Sequence, residues 1–185
     1  MEKKDLKPAG VFKYFEEICQ VPRPSKKEEK MIAYLKAFGA KHNLETKVDE
    51  AGNVLIKKPA TPGKENLQTV VLQSHIDMVC EKNNDVQHDF LTDPIETEID
   101  GEWLKAKGTT LGADNGIGVA TELAILADDS IEHGPLECLF TVDEETGLTG
   151  AFALKEGFMS GDILLNLDSE DEGEIFIGCA RGIDS

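Results

Sequence analysis

Apolar residues recur every three or four positions near the start of the chain, which is the period of an amphipathic helix. Val11, Phe12, Phe15 and Ile18 predict a first helix over residues 8–20. The Val-Pro-Arg-Pro sequence that follows ends this helix, because proline cannot continue the helical hydrogen-bond ladder. The chain is therefore expected to begin with a helix that buries one face.

A second helix is predicted directly after these prolines. Residues Ser25 to Glu28 have the pattern of a capping box, in which the serine and glutamate side chains bond free amide groups at a helix start. Four apolar residues mark one face of the helix that this box opens: Met31, Ile32, Leu35 and Phe38. Gly39 or the His42-Asn43 pair is expected to end it.

Shorter apolar runs bounded by turn residues predict strands. Two short strands are expected over residues 44–48 and 53–57, with a turn at 50–52. Two continuous apolar runs, residues 69–73 and 136–142, predict buried strands, the first of them in the centre of a sheet. The order of strands and helices already suggests a sheet with helices packed on it.

The remaining segments continue this alternation. They are, in chain order, a polar loop over 81–94, a short strand over 103–106, a glycine-rich stretch over 108–118, a helix over 117–127, a short helix over 151–156 and strands over 162–167 and 174–179. Strands alternating with helices predict an α/β fold with helices on the sheet. In such folds, functional residues collect at the carboxyl ends of the strands.

Composition limits the class of protein. A chain of 185 residues with 40% hydrophobic residues is consistent with one globular domain. The formal net charge of −17 argues against nucleic acid or an anionic membrane as a partner, because both require a basic surface. The amino terminus is too charged for a signal peptide, and four cysteines without a CxxC motif favour a reduced setting. We expect a soluble, cytoplasmic protein.

One imidazole and several carboxylates lie where predicted strands end. His75 and Asp77 are two residues apart, so on extended backbone their side chains point the same way. A metal-bound histidine commonly donates its other N–H to a carboxylate, so Asp77 is either that partner or a ligand itself. Taken alone, this tripeptide is more typical of an ordinary strand end.

Asp114 lies in a glycine-rich segment, where small residues allow close approach of backbone and metal. A dinucleotide-binding motif is excluded because the third glycine is absent, and a phosphate loop because no Gly-Lys-Ser/Thr is present. Alone, this segment would be an ordinary glycine-rich turn.

Further carboxylates follow the later strands. Adjacent Glu144 and Glu145 come after a buried strand, so one could bind metal while the other faces a substrate. Asp168 follows an apolar run and is the next candidate ligand. A calcium loop starting at Asp168 is excluded because its twelfth position is Cys179, and no GxSxG nucleophile motif occurs.

Four segments together resemble the M20 metallopeptidases, within them the aminoacyl-histidine dipeptidase branch, also called cytosolic non-specific dipeptidases. They are SHIDMVCEKN, TLGADNGIGVA, TVDEETGLTGA and LLNLDSEDEGEIFIGCARGID. The likeness covers the whole chain. It implies a zinc-peptidase-like catalytic domain built on a mixed β-sheet flanked by helices, of which residues 1–185 form an incomplete amino-terminal segment without the lid domain.

The resemblance also implies a role for each candidate residue. His75 and Asp168 resemble ligands of one zinc, Asp77 the residue that orients His75, and Asp114 the carboxylate that bridges both zincs. The family often has a cis peptide after the bridging aspartate, here before Asn115. The remaining two roles are general base for Glu144 and ligand of the second zinc for Glu145.

The implied cofactors are two divalent metal ions that activate a water, zinc being expected and manganese or cobalt being alternatives. The implied reaction is hydrolysis of dipeptides, of the Xaa-His type or of broad specificity. The family supplies a further zinc histidine and most substrate contacts from parts that have no counterpart in these 185 residues. We therefore expect this chain alone to bind metal weakly and to show little or no activity.

Two alternatives remain. The chain could be a naturally truncated domain without catalysis, or an M20 relative that acts on N-acyl amino acids. A homodimer through an exposed sheet edge is also left open.

Overall fold

The computed structural model describes residues 2–169 and 173–178. After a short 3-10 helix at Lys3–Asp5, the elements are, in chain order, α1 (Ala9–Cys19), α2 (Glu29–Lys41), β1 (Glu45–Val48), β2 (Val54–Lys58), β3 (Val70–His75), β4 (Thr97–Asp100), β5 (Trp103–Ala106), α3 (Ala113–Ala127), β6 (Leu136–Thr141), α4 (Thr149–Ala153) and β7 (Ile163–Asn166). No helix in these described ranges is long and apolar enough to cross a membrane.

Five strands form one mixed sheet in the order β1-β2-β6-β3-β7. β1, β2 and β6 pair antiparallel, whereas β6, β3 and β7 run parallel. His75 lies opposite Thr141, and Gln73 lies opposite Asn166. The residues that follow these three parallel strands therefore emerge at one edge of the sheet, as predicted for an α/β fold, and the predicted mixed sheet flanked by helices is confirmed.

The main hydrophobic core lies between one face of the sheet and the first three helices. Strand residues Ile56 and Phe140 pack there against Phe15 and Leu123 from the helices. Fewer side chains cover the other face of the sheet. There the buried residues Leu55, Val71 and Leu139 pack with three half-buried residues after α4: Leu154, Phe158 and Met159. This alternation of successive strand residues between the two faces follows from the two-residue period of a strand.

The predicted capping box is wrong. The Ser25 hydroxyl donates to the Asp77 carboxylate at 2.7 Å, and Glu28 accepts the backbone N–H groups of Lys26 at 2.9 Å and Asp143 at 3.0 Å. Helix α2 begins at Glu29, and no side chain caps it. A buried carboxylate such as Asp77 requires donors, and in the folded chain that demand overrides the local pattern.

Two strand predictions also differ from the structure. The hairpin strand β4 was not predicted, and it forms because it pairs with β5 along four residues. A strand was expected over 174–179, but residues 174–178 form none and Cys179 lies outside the described residues. Ile175 and Ile177 are almost fully exposed. A short apolar run becomes a strand only where a partner edge is available.

Helix boundaries differ by a few residues. The short helix expected over 151–156 is α4, at Thr149–Ala153. Helix α3 was expected from Ile117, but it begins at Ala113 and contains non-helical backbone at Asp114 and Asn115. The second of these differences affects the placement of a candidate ligand.

Candidate metal centre

The six candidate residues converge at the carboxyl edge of the parallel strands. His75 is the last residue of β3, the Glu144-Glu145 pair follows β6, and Asp168 follows β7. From the His75 Nε2 atom, the nearest carboxylate oxygens lie at 3.0 Å on Asp114, 3.8 Å on Asp168 and 4.0 Å on Glu144. The structure therefore gathers residues that are up to 93 positions apart between His75 and Asp168.

Asp114 reaches this site from a kink and not from a strand end. Its backbone angles (φ −85°, ψ 117°) are extended although it lies within α3, and its peptide bond to Asn115 is cis, as the resemblance implied. Gly112 precedes it with φ 67°, a left-handed conformation that favours glycine. The kink turns the Asp114 carboxylate towards His75 and leaves that side chain 64% exposed.

Asp77 lies beneath the site and organises it. Its side chain is fully buried, and Oδ1 lies 3.3 Å from His75 Nδ1, the ring nitrogen that faces away from Asp114. The same carboxylate accepts the backbone N–H groups of Glu144 at 3.0 Å and Glu145 at 3.2 Å. One buried carboxylate thus fixes the imidazole orientation and the backbone of the adjacent glutamates.

These contacts shift the pKa values of the buried pair. Burial alone would lower the pKa of His75, but the hydrogen bond and charge of Asp77 and the contacts with Asp114 and Asp168 raise it to about 9. Burial would raise the pKa of Asp77, but the hydrogen bonds from His75, Glu144 and Ser25 lower it to about 2. In the metal-free protein the imidazole is therefore the cation of this cluster at neutral pH.

The other carboxylates repel one another. Burial raises the pKa of Glu144, Glu145 and Asp168, and the charges of their acidic neighbours raise these pKa values further. In the described part of the chain, the salt bridges of the site carboxylates involve His75 and no lysine or arginine. Carboxylates that outnumber their one basic partner in this way have the charge distribution that a divalent cation neutralises.

Two groups of side chains have metal-ligand spacing. His75, Asp114 and Asp168 form one group, and His75 forms another with Glu144 and Glu145. Within each group, one ligand atom per residue lies within 4.8 Å of the others. Nitrogen and carboxylate oxygen donors suit zinc and also manganese. The residues present therefore fit a divalent metal ion.

A shallow cavity of about 220 Å³ opens beside Asp114 and Asp168. A larger cavity of about 750 Å³ lies between the β1–β2 turn and the residues after α4, and it contains none of the candidate ligands. We assign the chemistry to the smaller one, because the candidate ligands Asp114 and Asp168 line it.

A pH dependence follows from the raised pKa of His75. In metal-free protein, the protonated imidazole contributes stability that is fully present below pH 6.5 and is lost as the pH rises through about 9. We expect the free energy of unfolding to fall by roughly 3 kcal/mol between about pH 6 and about pH 9.5. Urea denaturation with a chelator present measures this change. His75→Gln should remove most of the slope, and an equal slope in that variant would contradict the assignment.

A family model described as peptidase family M20/M25/M40 matches residues 71–179, more than half of the chain. The chain belongs to this family. It contains the His75, Asp114, Glu145 and Asp168 positions within the matched range, and membership in this metallopeptidase family implies binding of a divalent metal.

Individual M20 relatives agree with the family assignment. The chain is 53% identical over 183 residues to the cytosol non-specific dipeptidase of Escherichia coli K12, covering 99% of this chain and 38% of the relative. The aminoacylhistidine dipeptidase of Vibrio alginolyticus superposes with a TM-score of 0.94 at 56% identity, over 97% of this chain and 36% of that one. The aminopeptidase PepT of Bacillus cereus gives 0.74 at 26% identity, over 88% and 43%. The chain thus spans less than half the length of each.

The structure adds residues that the sequence analysis missed. Asn115 donates from Nδ2 to the Leu167 carbonyl at 3.2 Å and to the Asp168 carboxylate, so it positions a candidate ligand. Ser25 bonds Asp77, as described above. Arg23 is 2% exposed although it is charged and lies between two prolines. A charged residue in that context was a usable signal, but it was interpreted only as the end of a helix.

Proposed function

We propose that this chain carries the metal ligands and the general base of a dipeptidase that uses two divalent metal ions. Zinc is the expected metal, with manganese or cobalt as alternatives. The observation that carries the proposal is the convergence of His75 with four acidic side chains that have no lysine or arginine partner among the described residues. The names of two relatives, both dipeptidases, support the reaction.

Within this proposal, each ion has its own set of protein ligands. His75, Asp114 and Asp168 would hold the first ion, and Asp114 and Glu145 would hold the second. In the described part of the chain, His75 is the only imidazole in the cluster. The second ion therefore has fewer ligands than the three or four that zinc sites usually have, so we expect weaker binding there.

Metal ions held by these residues would supply Lewis acidity, which activates a water and polarises a peptide carbonyl. Glu144 acts as the general base: its carboxylate takes a proton from the water and passes it to the departing amine. In the metal-free chain, burial and the charges of acidic neighbours raise the pKa of Glu144 above its usual value, which is the direction that suits a general base. Asp77 holds the His75 ring so that Nε2 faces the metal position, at the opposite side from Nδ1.

The proposed substrates are dipeptides with a free amino terminus, of the Xaa-His type or of broad specificity. The proposed location is the cytosol, which the name of the Escherichia coli relative indicates. We further propose that residues 1–185 correspond to the amino-terminal segment of the catalytic domain, which the 38% coverage of that relative supports. Strand β7 forms an edge of the sheet with Leu164 and Leu165 nearly half exposed, so a homodimer through this edge remains a prediction.

Metal binding is tested directly on the chain. Isothermal titration with zinc, manganese and cobalt chlorides should show one tighter and one weaker event. The double variant Asp114→Ala/Asp168→Ala should remove the tighter event and also weaken the other, because Asp114 is a proposed ligand of both ions. A single event would argue against the second ion. No binding of any of the three metals would contradict the proposed metal centre.

The reaction is tested in a chimaera. The aligned part of the Escherichia coli relative is replaced by this chain, and the product is assayed with dipeptides and with N-acetyl amino acids. We expect metal-dependent hydrolysis of dipeptides. Preferential hydrolysis of the N-acetyl compounds would instead favour the alternative M20 substrate class. A folded, metal-loaded chimaera without either activity would support a non-catalytic domain.

A further inference from the structure

The segment of residues 23–28 lies beneath the candidate metal centre, on the side of the buried Asp77. Pro24 forms a parallel bridge with Met78, the residue directly after Asp77. From this position Arg23 donates three hydrogen bonds to backbone carbonyls. The Nη1 atom lies 3.3 Å from the oxygens of both Ile76 and Asp77, and the Nη2 atom lies 2.7 Å from the oxygen of Gly112.

Arg23 therefore links two loops that carry candidate ligands. One loop follows β3 directly after His75 and contains Asp77, whereas the other begins α3 and contains Asp114. A planar guanidinium presents several donors in a fixed geometry, so both loops are fixed relative to one another. Space is kept for this side chain, because an added Cβ on Gly112 or Gly116 would lie only 2.6 or 2.8 Å from Nη2.

Ser25 and Glu28 extend the same segment to the third loop. The Ser25 hydroxyl donates to Asp77 Oδ2 at 2.7 Å, and Asp77 in turn accepts the N–H groups of Glu144 and Glu145. Glu28 is buried and accepts the N–H of Asp143 at 3.0 Å, at the start of the loop that bears those glutamates. Three side chains within six residues thus contact all three loops.

The burial of Arg23 is not explained by ion pairing. Among the described residues it forms no salt bridge, and its hydrogen bonds all go to carbonyl groups. A buried charge is costly unless its hydrogen-bonding capacity is used. In this chain the guanidinium of Arg23 uses that capacity on carbonyl groups near the candidate ligands His75 and Asp114.

We propose that Arg23, Ser25 and Glu28 are positioning residues that align the three ligand-bearing loops and so determine the metal affinity of the centre. This inference rests on the proposed metal centre and goes beyond it, because none of the three residues would touch the metal. It also places a determinant of the centre outside the range 71–179 that the family model matches.

Two matched controls separate positioning from simple stability. Lys58 is also buried and donates to two backbone carbonyls, those of Ile125 and Asp128, but it pairs with Leu136 at the opposite end of β6 from the site. Ser160 donates its hydroxyl to the buried Glu137 carboxylate, also near that far end. Lys58→Met and Ser160→Ala therefore imitate Arg23→Met and Ser25→Ala away from the metal centre.

The experiment is a titration of the chain with cobalt(II) chloride, followed by calorimetry and by visible absorption, together with thermal melting of the metal-free variants. We expect Arg23→Met and Ser25→Ala to weaken the tighter site by about 10–100-fold and to change the cobalt spectrum at saturation. Arg23→Lys keeps the positive charge but loses the planar set of donors of the guanidinium, so its cobalt affinity should be at least about tenfold lower than that of wild type. Both controls should keep wild-type affinity and spectrum even where their melting temperatures fall.

Unchanged cobalt affinity and spectrum in Ser25→Ala and Arg23→Met, with lowered melting temperatures, would show a purely structural role and overturn the inference. If Arg23→Met does not fold, Ser25→Ala decides in the same way. If the wild-type chain binds no cobalt, the same titrations are made with zinc and manganese. Absence of binding of all three metals would overturn the proposed metal centre itself, which distinguishes the two failures.

Discussion

Asp114→Ala is expected to abolish most of the stabilisation that zinc or manganese gives to this chain. Asp114 Oδ1 lies 3.0 Å from His75 Nε2, and the proposal makes Asp114 a ligand of both ions. A metal present at about 100 times its dissociation constant stabilises the folded state by about 2.7 kcal/mol. For a chain of this size, that free energy corresponds to a rise of roughly 5–10 °C in melting temperature.

The measurement is a thermal melt with and without millimolar metal, read by circular dichroism. Asp100→Ala is the matched control, because its side chain is also 64% exposed but lies on the β4–β5 hairpin, where it pairs with Lys105. This control should keep the full rise. A rise of the same size in Asp114→Ala would exclude Asp114 as a ligand.

Glu144→Gln is expected to lower the rate of dipeptide hydrolysis by the chimaera by about 10²–10⁴-fold while metal affinity stays near that of wild type. The amide is nearly isosteric with the carboxylate but cannot accept the proton, which removes general-base catalysis. Its backbone N–H bond to Asp77 does not involve the side chain, so the loop should keep its conformation.

The variant Glu145→Gln tests whether the roles of the two adjacent glutamates are assigned correctly. Both glutamates lie in one ligand-spaced group with His75, so geometry alone permits either role. The assignment predicts that Glu145→Gln weakens the second metal event and lowers activity through metal loss, with partial recovery at high metal concentration. If Glu144→Gln loses metal while Glu145→Gln keeps it, the two roles are exchanged. Full activity in Glu144→Gln would exclude it as the base.

Much of the fold was predictable from local patterns. The helix α1, the buried strands β3 and β6 and the hairpin of β1 and β2 have strong periodicity or continuous apolar runs, and the structure has them within a few residues of the expected positions. The strand predictions are wrong where pairing with a second strand decides whether a strand forms. Strand β4 is mostly polar and exists because β5 pairs with it, whereas residues 174–178 are more apolar and form no strand.

The residues of the candidate site could be predicted from the sequence, but the contacts that hold them in place could not. His75, Glu144 and Asp168 follow strands whose carboxyl ends share one sheet edge, and that position follows from the fold class. Asp114 reaches the same place through a kinked helix start, which no periodicity indicated. The pattern from Ser25 to Glu28 even suggested a local cap, whereas both side chains bond distant loops.

The sequence by itself determined the order of elements, the sheet with its flanking helices and the acidic residues grouped around one histidine, because these depend on spacing along the chain. Only the tertiary structure decided which donors satisfy Asp77, where Asp114 points and why Arg23 is buried. Apart from the His75–Asp77 pair, those contacts join residues 39 to 89 positions apart. The contacts of Asp77 and Arg23 are selected by the cost of leaving a buried polar group without a partner.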